Sequence, residues 1–236
     1  MLEITLILFI ATLFRTIFGF GEALIAVPLL TLILPIRVAV PVAVLASILI
    51  AAVAVIRDWK HIHFREAAWL IVSTLFGLPI GLLVLKTAPE AAMKAALGFL
   101  ILLFSAYSLF KPRVALKNDR FAWVFGFFAG IAGGSYGMNG PPLAIYGKLR
   151  DWSPEHFRAT LQGYFLPASI LGLCGYGASG LWTASVNSLF LAALPGIIVG
   201  IFAGRWMNRR IDARRFRFLL HGGLILVAAL LISGIA

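Results

Sequence analysis

Cysteine is nearly missing from this chain. Cys174 stands alone, so no internal disulfide can form and the redox compartment is not encoded. Charge is scarce too: Asp, Glu, Lys and Arg together make 12% of the 236 residues, and only nine are acidic. A soluble domain carries about 25%. The four histidines have no cysteine or acidic cluster beside them. His61-x-His63 sits in a basic loop next to Trp59, which argues against a metal site and leaves an intramembrane enzyme without a base for Cys174, Ser47, Ser73 or Ser135. The opening MLEITLILFI has an acid, no positive n-region and no small-residue cleavage site after it, so it does not read as a signal peptide. No nucleotide-binding loop and no stretch of soluble-domain composition is present, and no cofactor is expected.

What remains is apolar. Hydrophobic residues make 61% of the chain and the mean hydropathy is +1.00. Apolar segments fall near 4–35, 38–56, 66–86, 91–110, 121–147, 159–178, 183–204 and 218–235, about the length that crosses a bilayer core. The chain therefore reads as an all-α integral membrane protein. The formal net charge of +11 lies in short loops, where it orients the protein and meets anionic lipid, so nucleic acid is not an expected partner. Trp59, Trp69, Trp123, Trp152, Trp182 and Trp206 lie near segment ends, as interfacial anchors do.

Two segments break at matching places. Residues 14–30, FRTIFGFGEALIAVPLL, stop at Gly19-Phe20-Gly21; residues 127–147, FFAGIAGGSYGMNGPPLAIYG, stop at Gly133-Gly134, Gly137 and Gly140-Pro141-Pro142. Unpaired backbone at membrane depth is tolerated only inside protein or along a cavity. A duplicated pair of broken segments points to a transporter's binding site. The halves repeat: Gly21 answers Gly137, Arg37 answers Arg158, and Gly77-x-x-x-Gly81 answers Gly196-x-x-x-Gly200, pairs that let helices approach closely. This divides the chain into a first membrane repeat at 1–110, a basic linker at 111–120 and a second membrane repeat at 121–236.

Positive charge chooses a topology. Eight full crossings, with Arg15 left in the membrane, place 12 Lys and Arg on one side and 7 on the other. If both broken segments are re-entrant hairpins, the split becomes 16 against 3, only Arg37, Lys86 and Lys94 lying opposite. The hairpin arrangement obeys the positive-inside rule. It makes each half a broken helical hairpin plus three transmembrane helices, the halves inverted relative to each other. Both arrangements put the termini on the outer side.

Within the first break lie Arg15 and Glu22, the ionisable residues deepest in an apolar segment. Such a charge faces a partner or a cavity. Arg15 can grip an oxyanion with parallel N–H bonds, and Glu22, after Gly21, can exchange protons. Mutual neutralisation, or Glu22 capping its half-helix, is the structural alternative. The expected substrate contacts are Arg15, Gly19, Phe20, Gly21, Gly134, Ser135, Tyr136, Gly137, Asn139 and Gln162. Half-helix N-termini favour anions, though the glycines can also serve packing alone, and Gln162 can equally bond a neighbouring helix.

These motifs, GFGEALIAVPLL and GGSYGMNGPPLAIYG, in a four-plus-four arrangement over essentially the whole chain, resemble the TauE/SafE family of membrane anion exporters, also called the sulfite exporter or TSUP family. Where the family often has three or four glycines, this chain has Gly19-Phe20-Gly21-Glu22, and Met138-Asn139 replaces glycines in the second break. The resemblance implies a secondary carrier for a small sulfur-containing anion, sulfite or sulfonate, in a bacterial cytoplasmic membrane; Glu22, from its place in the first break, is the candidate proton-coupling residue. A passive anion channel on the same site and, more remotely, an intramembrane enzyme are the rival readings. Oligomeric state and transport direction are not legible.

Overall fold

The computed structural model describes residues 1–58, 64–110, 116, 119–208 and 224–233. The described residues are helical and contain no strand. In chain order they form α1 (Leu2–Phe18), α2 (Glu22–Leu30), α3 (Ile36–Asp58), α4 (Phe64–Thr87), α5 (Glu90–Phe110), α6 (Ala122–Tyr136), α7 (Gly140–Leu149), α8 (Pro154–Ala178), α9 (Ala184–Asn208) and α10 (Leu224–Ser233). His61, His63, Trp59, most of the linker at 111–120 and the basic run from Arg209 to Arg217 lie outside the described residues.

Among the described residues, four helices are long and apolar enough to cross a bilayer: Ile36–Ile56, Ala67–Thr87, Glu90–Ser108 and Ala184–Met207. Burial runs opposite to that of a water-soluble protein. Phe76, Leu83, Phe99, Leu191 and Phe202 are exposed, whereas Thr12, Arg15, Glu22, Ser47, Thr74, Asn139 and Ser169 are buried. Apolar side chains meet lipid, while polar ones must find partners inside the protein because hydrocarbon offers none. The chain is a multi-pass membrane protein.

Both segments expected to break do so, each into a longer helix and a half-length one. α1 has 17 residues and α2 has 9; α6 has 15 and α7 has 10. Three boundaries of α1–α3 recur in α6–α8 at one spacing. Phe18 and Tyr136, Glu22 and Gly140, and Ile36 and Pro154 are each 118 residues apart. The expected pairing of Gly21 with Gly137 is therefore shifted. Gly19 and Gly137 are the corresponding left-handed C-caps, with φ of 86° and 65°. Arg37 and Arg158 do not correspond either: Arg37 donates to Leu85 O and Ala88 O at the α4–α5 turn, whereas Arg158 lies against Gly19.

Packing is exchanged between the halves. α4 lies along α6, and α9 lies along α1, while α3 and α8 meet. The small-residue motifs sit at the two exchanged contacts. A Cβ on Gly77 or Gly81 would meet the α6 backbone at Ile131 N and Ser135 N, at 2.9 and 2.8 Å; one on Gly196 or Gly200 would meet α1 at Thr5 O and Phe9 O, both at 3.0 Å. Close backbone approach gives the dispersion contact that replaces the hydrophobic effect between helices in lipid. Each half's first helix is thus held by the other half's fourth, which brings the two breaks together.

Candidate functional site

Helix α1 ends where Gly19 N donates to Arg15 O at 2.7 Å. Gly19 and Gly21 both take positive φ, 86° and 97°, a conformation that costs an L-residue about 1–2 kcal/mol. These two turns fold the chain back, so that Glu22, the first residue of α2, reaches Arg15 despite the helix break. Arg15 Nη1 donates to Glu22 Oε2 in a buried ion pair. The same nitrogen reaches Ser47 Oγ of α3 at 2.5 Å, and Nη2 donates to Gln162 Oε1 of α8 at 3.4 Å. Gln162 Nε2 in turn donates to Gly19 O at 2.9 Å, tying the guanidinium to the hinge. The Phe165 ring centroid is 4.8 Å from Arg15 Cζ, a cation–π distance. Ser169 Oγ donates to Ser47 Oγ at 3.3 Å.

Arg15 and Glu22 are 3% and 2% exposed, and each keeps one buried polar atom without a hydrogen-bond partner, Nε and Oε1. Such atoms each cost about 1–3 kcal/mol when left unmade. Both residues line a small cleft, which Ser47, Phe20, Gly21, Ala23, Leu24, Gly137, Met138, Asn139, Gly140, Pro141 and Phe165 complete. The cleft has a polar end at Arg15, Glu22, Ser47 and Asn139 and apolar walls at Phe20, Leu24, Met138, Pro141 and Phe165.

The N-termini of α2 and α7 both meet this cleft. A helix leaves its first backbone N–H groups unpaired within the helix and carries partial positive charge there. α2 presents N–H groups from Glu22, Ala23 and Leu24, all lining residues. α7 presents fewer, because Pro141 and Pro142 follow Gly140 and proline has no N–H. The donor-rich half is therefore α2, an asymmetry that counting glycines does not reveal.

Asn139 is the N-cap of α7, but its side chain bonds no backbone there. Its Nδ2 donates to Tyr164 OH at 3.2 Å, and Tyr164 OH is 2.7 Å from Thr74 Oγ1, which lies 2.9 Å from Gly126 O. A buried chain of polar groups thus runs from the cleft to the α4–α6 contact.

Of the sequence-predicted residues, Arg15, Phe20, Gly21, Glu22, Gly137 and Asn139 come together in the cleft. Gly19 and Gln162 stand behind Arg15. Gly134, Ser135 and Tyr136 are not brought to it. Gly134 packs on Leu78 and Leu82 of α4, Ser135 Oγ donates to Ile131 O of its own helix at 2.7 Å, and Tyr136 OH donates to Met93 O of α5 at 3.1 Å. Ser47 and Phe165 are the contacts that sequence reasoning did not place at Arg15. Gln162 and Phe165 are three apart on α8, so the helical face carrying Gln162 was the signal available for Phe165.

A bundle whose first helices break against one another, around a buried ion pair and two helix N-termini, defines the class: a helical membrane protein with a polar cleft between its two broken segments. The sequence matches the family model described as Sulfite exporter TauE/SafE over residues 4–231, and the chain belongs to the TauE/SafE family. One relative, the "Probable sulfite/organosulfonate exporter TauE" of Cupriavidus necator, is 25% identical over 225 residues, 92% of this chain and 88% of the relative. No solved structure matches the chain significantly.

Proposed function

We propose that this protein is a secondary carrier moving a small sulfur-containing anion, sulfite or sulfonate, across the bacterial cytoplasmic membrane. The carrying observation is the meeting of the Glu22 and Gly140 helix starts at one cleft that also holds the buried guanidinium of Arg15. Arg15 and the α2 N–H groups hold the oxyanion; Asn139, Phe20 and Met138 shape the cleft; Glu22 is the proton site. The family membership and the relative's printed name support the substrate class. No residue is assigned a covalent role.

The recurring spacing of 118 residues and the exchanged packing of α1 with α9 and α6 with α4 support two structural repeats. The charge count supports their inversion, with hairpin breaks and both termini outside. Repeats crossing the membrane in opposite senses would bring α2 and α7 to the cleft from opposite faces.

The test is counterflow in proteoliposomes with labelled sulfonate, comparing wild type with Arg15→Gln. Saturable exchange that the variant loses is the expected result. Flux without counterflow acceleration would make the protein a channel, and exchange retained in the variant would remove Arg15 from the site.

A further inference from the structure

The ion pair at the cleft is incomplete in a complementary way. Arg15 keeps one donor, Nε, and Glu22 keeps one acceptor, Oε1, both buried and both without partners, on two residues that line the same cleft. Of the other polar atoms of the pair, Nη1 donates to Glu22 Oε2 and Ser47 Oγ, and Nη2 gives one of its two hydrogens to Gln162 Oε1. Nε and an Nη nitrogen form one edge of a guanidinium, the edge that a tetrahedral or pyramidal oxyanion grips. Glu22 Oε1 needs the opposite, a hydrogen. An anion satisfies the first vacancy and a proton the second.

We infer that the anion and one proton bind this site together, the anion on the Nε edge of Arg15 and the proton on Oε1 of Glu22, so that the carrier is a one-to-one anion–proton symporter. The inference rests on the carrier reading above and adds the coupling to it. Charge decides between symport and exchange. Empty, the site holds Arg15 and Glu22 as a neutral pair. With anion and proton both bound, it holds Arg15, the anion and a neutral carboxylic acid, again neutral. Antiport would cycle through a proton-only state with one uncompensated positive charge and an anion-only state with one uncompensated negative charge. Both would be buried where no water screens them, the arrangement that membrane interiors tolerate least.

The groups around Glu22 leave it as the proton's place. α1 presents the Arg15 guanidinium, and α3 presents Ser47, whose hydroxyl also hydrogen-bonds the Glu22 carboxylate. From α8 come Gln162 and Phe165, with Arg158 behind Gly19. On α5, Glu90 and Lys94 face each other at 3.8 Å, and Glu90 accepts from Ile36 N, beyond the far end of α2. Two consequences follow. Symport of a monoanion with a proton carries no net charge, so its rate ignores the membrane potential. Outward flux then requires an anion ratio larger than the opposing proton ratio.

The experiment uses the full-length protein in proteoliposomes with a trapped pH dye and ethanesulfonate, whose own group does not titrate in the working range. One proton should enter or leave with each anion, at a rate unaffected by a clamped potential, and anion affinity should fall tenfold per pH unit where the empty site is deprotonated. Glu22→Gln should carry the anion without the proton, so its flux becomes electrogenic and responds to the potential. Anion flux with unchanged internal pH, or wild-type flux that follows the potential, overturns the symport and leaves the carrier standing. Absence of both ethanesulfonate and sulfite flux in wild type overturns the carrier and the symport together. Should Glu22→Gln fail to insert, the wild-type stoichiometry decides alone.

Discussion

The Arg15–Glu22 pair is a buried stability element, and a double-mutant cycle separates the two residues' interaction from their individual losses. Arg15→Gln removes the partner of a carboxylate that is 2% exposed and already lacks one hydrogen bond. Breaking a buried pair by removing one partner costs about 3–5 kcal/mol, because the survivor is left as an unpaired charge. Glu22→Gln strands the guanidinium in the same way, softened by Ser47 and Gln162. In Arg15→Gln/Glu22→Gln neither charge remains, so the double variant should lose less than the sum of the singles, by about 1–3 kcal/mol. For a domain of this size each kcal/mol moves the melting temperature by about 2–4 °C. Arg15→Gln should therefore melt roughly 6–20 °C below wild type in detergent, with the double variant recovering several degrees relative to additivity. Ethanesulfonate should raise the melting temperature of Glu22→Gln more than that of wild type, since it supplies the missing negative charge. Additive losses across the cycle would refute the picture of one interdependent buried pair.

Three further substitutions test the geometry around the pair and away from it. Gly21→Ala meets a φ of 97° and places a Cβ 2.6 Å from Phe14 Cε1; it should cost more than the about 1–2 kcal/mol of backbone strain alone and raise the KM for counterflow. Gly180→Ala, with φ of 75° but nothing within 4 Å, should lower the melting temperature slightly and leave counterflow unchanged. Tyr164→Phe removes the hydroxyl joining Asn139 to Thr74 and leaves a buried donor unmade, about 1–3 kcal/mol. Thermal unfolding reads that loss, and a KM raised more than kcat is lowered would show Asn139 losing its orientation.

The breaks were legible in the sequence because backbone interruptions inside apolar segments need glycine, and the sequence places glycines in both. Their register was less so. Matching glycine to glycine pairs Gly21 with Gly137, but the helices end at Gly19 and Gly137, the residues whose left-handed turns close α1 and α6. The small-residue motifs on α4 and α9 were legible as close contacts, because a bare backbone has few other uses on an apolar helix; which helix each would meet was not. Ser135 and Tyr136 looked like site residues because they are polar and adjacent to the break. They face elsewhere because a helix's last turn points successive side chains in different directions: Ser135 back to Ile131 O, Tyr136 out to α5. Ser47 was hidden for the converse reason. A lone hydroxyl in an apolar run commonly satisfies itself on its own helix, as Ser73 and Thr74 do on α4, and nothing local announces that Ser47 instead meets a cation from α1.

The two halves share a geometry but not a chemistry. Taking positions 118 apart, Arg15 stands against Gly133, Glu22 against Gly140, Ser47 against Phe165 and Gln162 against Val44. The hinges show the same contrast in space. A Cβ on Gly19 would meet the Arg158 side chain at 2.7 Å, while one on Gly137 would meet Val44 at 2.8 Å. So each hinge rests on the other half's third helix, one on polar side chains and the other on valines. Placing a second Arg–Glu pair at Gly133 and Gly140 would bring another guanidinium and carboxylate into the same small cleft, where like charges repel in a poorly screened interior. The α7 side instead lacks even the N–H groups that Pro141 and Pro142 would otherwise supply. Matched backbone breaks create the cleft, and confining charge to one of them leaves a single ion pair there.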